Sequence, residues 1–155
     1  MKTRIYADTS VLGGCEDQEF RDYSRRLLDA FMRGDYTLVL SDLTIRELET
    51  APQAVRDLLD AVPESNVEVV AISPEVDELA ASYIQEGAVS SRMRADALHI
   101  ALATVARVNV LVSWNFRHIV NLRRIRAYNA VNLKRGYLLL EIRSPRELLG
   151  DEQRD

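Results

Sequence analysis

The chain has 155 residues, 47% of them hydrophobic, which suits one ordinary domain whose core needs no disulfide or metal staple. Its single cysteine, Cys15, excludes an internal disulfide and a cysteine zinc site, and fits a reducing cytoplasm. The net charge of −4 argues against bulk affinity for nucleic acid, yet from Phe116 to Leu140 six basic residues (Arg117, Arg123, Arg124, Arg126, Lys134, Arg135) meet no acid, leaving −10 on the rest.

In chain order, Arg4-Ile5-Tyr6-Ala7 reads as a short strand, with the polar trio Asp8-Thr9-Ser10 just past it and Gly13-Gly14 opening an acidic loop. Phe20, Tyr23, Leu27, Leu28 and Phe31 follow helical spacing, and Gly34 supplies a stop. Thr37 to Leu40 is a second strand, and Ser41-Asp42 begins a helix carrying Ile45, Glu47 and Leu48. Pro52 starts another helix through Leu59, Val67 to Ile72 reads as a buried strand, and Ser73-Pro74 opens a helix through Tyr83. Ala95 to Ala106 is apolar nearly all round, which marks a buried helix, and Val110 to Val112 is the next strand. Leu138 to Ile142 gives a final strand, and Gly150 to Asp155 is polar and expected to fray.

The expected organisation is one domain over residues 1–145 with a polar tail over 146–155. No apolar run approaches the roughly 20 residues of a membrane helix, and the N-terminus enters a charged, strand-like segment, so a soluble, unprocessed protein is expected. Strands alternating with helices imply right-handed crossovers and a mainly parallel sheet covered on both faces, with ligands beyond the strands' carboxyl ends.

Three polar positions fall near that edge: Asp8 after the first strand, Glu47 a turn or so past the second, and Asn115 after the fourth. Asp96 sits at the start of an apolar helix, where an unpaired carboxylate is costly without a cation or strong donors. Crowded carboxylates raise one another's pKa unless a divalent cation neutralises them, and oxygen-only ligands favour Mg²⁺ or Mn²⁺. Such an ion activates water for in-line attack on a phosphodiester without a covalent nucleophile.

In Ile5-Tyr6-Ala7-Asp8-Thr9-Ser10, Ile45-Arg46-Glu47-Leu48, Ala95-Asp96-Ala97-Leu98-His99-Ile100-Ala101 and Leu111-Val112-Ser113-Trp114-Asn115-Phe116, the chain resembles the PIN-domain family, including VapC-like toxin ribonucleases of type II toxin–antitoxin systems. The likeness spans about residues 4 to 142 and rests on the order of the four motifs. It implies a three-layer α/β/α domain and a Mg²⁺- or Mn²⁺-dependent endoribonuclease in which Asp8, Glu47 and Asp96 match the acidic positions. Asp8 and Asp96 are expected to hold the ion, Glu47 to position or deprotonate water, Asn115 to orient a ligand, and the hydroxyl of Thr9 or Ser10 to support the site. RNA, an antitoxin protein and a second copy in a homodimer are the implied partners. Asn115 stands where a fourth acid is common in the family, so a catalytically weak or inactive module that binds RNA or a protein is the alternative.

Each residue also has a plainer reading. Asp8 fits a turn, Asp96 a first-turn acid with Ser90 or Ser91 as caps, and Thr44-x-x-Glu47 a capping box, with Glu49 as a substitute acid. His99 shares a face with Asp96 but reads as a packed histidine without a catalytic role. Trp114 fits a core or a stacked base, and the basic stretch fits a phosphate track or a solvated face. The third position of Asp8-Thr9-Ser10 departs from the Asp-x-Asp of haloacid-dehalogenase phosphatases, and the paired acids of a receiver domain are missing. Gly13-Gly14 matches neither a dinucleotide-binding turn nor a Walker loop.

Overall fold

A computed structural model describes residues 2–150; of the polar tail expected over 146–155, residues 151–155 lie outside the described residues. In chain order, β1 (Thr3–Ala7) leads into a short α1 (Thr9–Gly13), followed by α2 (Arg21–Arg33), β2 (Tyr36–Ser41), α3 (Asp42–Leu48) and α4 (Gln53–Asp60). Then come β3 (Val67–Val70), α5 (Pro74–Gln85), α6 (Arg94–Val105), β4 (Val110–Val112), α7 (Leu122–Lys134), β5 (Ile142–Arg143) and α8 (Pro145–Leu149). All five strands pair in parallel in the order β3-β2-β1-β4-β5. The central strand is therefore β1, and Asp8 leaves its carboxyl end.

The period of two along each inner strand builds two cores. Ile5 and Ala7, Leu38 and Leu40, and Val110 and Val112 face one side, where they meet Leu27, Leu28 and Phe31 of α2 and Val55 of α4. Tyr6, Val39 and Leu111 face the other, against Leu79 and Tyr83 of α5, Ile100 of α6 and Tyr128 of α7. Helices on both faces of a parallel sheet make the three-layer α/β/α arrangement.

Helix ends follow their sequence signals. Gly34 closes α2 with φ +80°, Ser41 caps α3 by accepting from the Thr44 amide, and Ser73 caps α5 with Pro74 in the first turn. The cap at Ser41 removes the capping-box reading of Thr44 and Glu47, because Glu47 lies in the later part of α3 rather than at its start.

Two expectations are corrected. The segment from Val67 is an edge strand, shortened to Val70 and leaving Val69 58% exposed, because it pairs only with β2. Leu138 and Leu139 are exposed and outside any strand; Asn129 holds the Leu140 backbone through both its amide oxygen and nitrogen, so β5 begins only at Ile142. The basic stretch contains α7, capped by Asn121 and pinned by Asn132, which donates to Thr104 and accepts from the Tyr83 hydroxyl. Helix α8, with a capping box at Ser144 and Glu147, brings Leu148 and Leu149 against the α2 side of the core.

Candidate active site

The carboxyl ends of β1, β2 and β4 deliver three chain segments to one edge. Asp8 is 4% exposed at the start of α1 and caps no amide with its side chain. Its Oδ1 accepts from Ser10 Oγ and its Oδ2 from Ser113 Oγ, each at 2.6 Å. The same two hydroxyls accept the Trp114 and Asn115 amides at 2.9 Å, so the turn after β4 is clamped onto the turn after β1. Ser113 is fully buried and holds the second Asp8 oxygen, a role that nothing in its sequence setting signals.

Glu47, half-buried on α3, accepts from Thr9 Oγ1 at 2.6 Å and pairs with His99 Nε2 at 2.8 Å. His99, 3% exposed, meets the Tyr6 hydroxyl with Nδ1 at 2.6 Å, and Tyr6 in turn meets Ser41 Oγ at 2.8 Å. Burial pushes the Tyr6 phenol well above its ordinary value, so it keeps its proton beside Nδ1. An ionised Glu47 can only accept, so the proton between it and His99 lies on Nε2. The histidine is packed, as its sequence setting suggested, but its partner is Glu47 rather than Asp96. The two residues lie 52 positions apart, a pairing that no local spacing signals.

Asp96 lies in the first turn of α6, where Met93 rather than Ser90 or Ser91 occupies the capping position. Asn115 Nδ2 donates to Asp96 Oδ1 at 3.3 Å, while Asn115 Oδ1 accepts the His118 amide at 2.9 Å. Asn115 therefore orients the Asp96 carboxylate and fixes its own loop. Glu49 is exposed, and the groove it lines runs between Ile45 and Leu59, with none of Asp8, Glu47, Asp96 or Asn115 in its lining.

Electrostatics separate the three acids. Burial pushes Asp8 above its ordinary value, outweighing the Ser10 and Ser113 donors. Burial does the same to Asp96, with the charge of Asp8 adding to it against His99, His118 and Asn115. Burial also acts upward on Glu47, but donation from His99 and Thr9, with the charge of Arg46, holds it below the usual range. Among the described residues no lysine or arginine pairs with Asp8 or Asp96.

Among the described residues no three His, Cys, Asp or Glu side chains gather closely enough to hold a metal together. Asp8 and Asp96 nonetheless fit Mg²⁺ or Mn²⁺. They are all-oxygen donors raised by burial, and Mg²⁺ commonly takes one or two carboxylates and keeps several waters. A cation there would reverse the cost of ionising both.

Trp114 resolves to core: it is 8% exposed, donates from Nε1 to Ser24 Oγ at 2.8 Å, and stacks on Phe20 at 4.3 Å between centroids. The basic stretch divides. Arg124 donates to the Ala88 carbonyl and Lys134 and Arg135 pair with Glu86, whereas Arg117, Arg123 and Arg126 are exposed.

No curated protein matches the chain in sequence. Solved structures match its fold at low identity. VapBC2 from Rickettsia felis, solved bound to a DNA fragment from its promoter, is 15% identical with a TM-score of 0.56, covering 92% of this chain and 98% of that one. A toxin–antitoxin complex from Klebsiella pneumoniae is 19% identical, again at TM-score 0.56, covering 77% and 93%. VapC20 from Mycobacterium tuberculosis, described as a sarcin–ricin loop cleaving toxin, is 14% identical at TM-score 0.54, covering 88% and 98%. The PIN domain family model matches residues 5–140, which takes in the whole of the site. The sheet order, the acids at its carboxyl edge and that match together identify the chain as a member of the PIN domain family.

Proposed function

We propose that this chain is a metal-dependent endoribonuclease that hydrolyses RNA phosphodiester bonds, and that it is the toxin of a toxin–antitoxin pair. The observation that carries the reading is Asp8: a buried carboxylate at the sheet's carboxyl edge, within reach of the charge of Asp96, with hydroxyl donors but no lysine or arginine partner among the described residues. A divalent ion on Asp8 and Asp96, when bound, supplies charge neutralisation and an acidified water.

The chain's own residues do the rest. Ser10 and Ser113 hold both oxygens of Asp8 in place, and Asn115 holds one oxygen of Asp96. Glu47, the one acid of the three held below its ordinary pKa, stays ionised at neutral pH and receives or orients the proton of the attacking water. His99 fixes the Glu47 carboxylate from behind and acts as a positioning residue. Antitoxin and homodimer partners, cytoplasmic placement and a single domain, extended from 145 to take in α8, belong to the same proposal. Among the described residues, no helix is long and apolar enough to cross a membrane.

The test is a mixed pool of RNA and a matching pool of DNA incubated with purified protein in Mg²⁺, Mn²⁺ or chelator. Metal-dependent cutting of RNA supports the reading; no cutting by folded protein shifts it to a non-catalytic module that binds RNA or a partner, which the lack of a three-ligand cluster among the described residues would then explain. A finer result concerns His99. His99→Ala is expected to lower kcat about 10- to 100-fold with KM little changed, the usual cost of losing a group that orients a site acid. His99→Gln keeps an amide donor and is expected to recover part of the loss. Equal kcat in all three proteins would remove His99 from the mechanism.

A further inference from the structure

Seven large apolar side chains are markedly exposed among the described residues, and the one aromatic among them, Phe116, follows Asn115 directly. It is 48% exposed, yet it is not loose. Its amide donates to the Trp114 carbonyl at 3.0 Å, and its carbonyl accepts from Asn121 Nδ2 at 2.8 Å. Beneath it, Phe20 and Trp114 stack at 16°, and the Phe116 ring tilts against both, 6.5 Å from Phe20 and 6.1 Å from Trp114. The Trp114 amide is bonded to Ser10, which holds Asp8, so this aromatic step is tied to the site.

We propose that Phe116, braced by Phe20 and Trp114, is a stacking ledge for an unpaired nucleobase of the RNA whose backbone reaches Asp8 and Asp96. The proposal rests on the nuclease reading and adds to it a residue, Phe116, that determines how an unpaired strand is held. A half-exposed aromatic ring can take the π-face of a base, and a rigid loop makes the contact at little entropic cost. Charge agrees: Arg117, next in sequence, is exposed, as are Arg123 and Arg126, and no acid occurs between Phe116 and Leu140, while the rest of the chain is acidic. A polyanion is steered to this side of the molecule, where the exposed aromatic stands. A base inside a duplex offers no free face, so the ledge discriminates against paired RNA.

The experiment measures binding by fluorescence anisotropy, in chelator so that nothing is cut. The probes are an end-labelled single-stranded RNA of about 10 nucleotides, within the span such grooves cover, and its fully paired duplex. Phe116→Ala is expected to weaken single-strand binding about 5- to 100-fold and to leave duplex binding unchanged, and Phe116→Tyr to restore it. Emission of Trp114, the only tryptophan, is expected to fall when the single strand binds. Equal single-strand affinity for wild type and Phe116→Ala overturns the ledge and leaves Phe116 to a protein contact; equal losses on both probes overturn it in favour of a general change in fold or charge. A protein that cuts RNA yet shows either result loses the ledge alone, whereas one that neither cuts nor binds RNA loses the nuclease reading with it.

Discussion

Replacing Asp8 by asparagine is expected to lower RNA cleavage by at least about 100-fold, the upper end of what outer-shell partners of a metal cost, and to raise the melting temperature of the metal-free protein. Both effects come from one fact. Asp8 is buried and its folded pKa stands above the ordinary 3.8. Below that ordinary value both folded and unfolded chains hold the proton, and the group contributes nothing. As pH rises past it the unfolded chain releases the proton while the folded chain retains it, so stability falls until the folded pKa is reached. Asparagine does not titrate, and Ser10 and Ser113 can still hydrogen-bond its amide, so the variant escapes this loss at neutral pH. For a chain of this size each kcal/mol amounts to about 2–4 °C. Added Mg²⁺ is expected to raise the wild-type melting temperature and to leave Asp8→Asn where it was. Thermal melts at pH 7 with chelator and with Mg²⁺ check this. A variant less stable than wild type in chelator would show that the carboxylate is structural, since sites built for function trade stability for it.

Gly14→Ala is expected to destabilise the fold by about 2–5 kcal/mol, from overpacking and a disrupted hydrogen bond together, against a total of about 5–15 for a domain. The backbone at Gly14 is ordinary, with φ −60°, so the constraint is space rather than conformation. A methyl group there would stand 2.5 Å from Ser24 Oγ and 2.9 Å from Trp114 Nε1. Ser24 cannot simply swing away, because it is buried, donates to the Val11 carbonyl at 2.7 Å and accepts from Trp114 Nε1. Displacing it leaves the indole N–H without a partner and disturbs the stack of Phe20 on Trp114. Urea unfolding of Gly14→Ala, Ser24→Ala and the double variant checks the mechanism: the double variant is expected to be less destabilised than the sum, because the second change opens the space the first one needs. Simple additivity, or a loss below about 0.5 kcal/mol for Gly14→Ala, would contradict the packing described.

Where the sequence was legible, local pattern and burial agreed. Ile5 and Ala7 alternate with Tyr6 as the sheet's two faces require, and Gly34, Pro52 and Ser73-Pro74 stand at the helix boundaries they signal. Placing Asp8 and Asn115 at the carboxyl edge needed only the knowledge that they follow strands. What stayed hidden depended on partners distant in sequence. Leu138 to Leu140 has the composition of a strand, but the side chain of Asn129 satisfies the Leu140 backbone that a neighbouring strand would have taken. Helix α7 carried its own signal in Ile125, Tyr128, Val131 and Asn132 after the cap Asn121, masked by the arginines between them. Edge or interior position, which decided the exposure of Val69, is a property of the whole sheet and of no single strand. His99 gave the least warning: a histidine in an apolar helix looks the same whether its ring meets carbon or, as here, Glu47 on one side and Tyr6 on the other.

The most direct measurement is cleavage of a mixed RNA pool by wild type, Asp8→Asn and Asp96→Asn, purified identically and shown to be folded, in Mn²⁺, in chelator, and in chelator followed by excess Mn²⁺. The expected result is cutting by wild type in Mn²⁺, none in chelator, recovery when the metal is restored, and none at any stage by either variant. Cutting that persists in chelator, or that survives in both variants, would contradict a metal-dependent nuclease site built on Asp8 and Asp96.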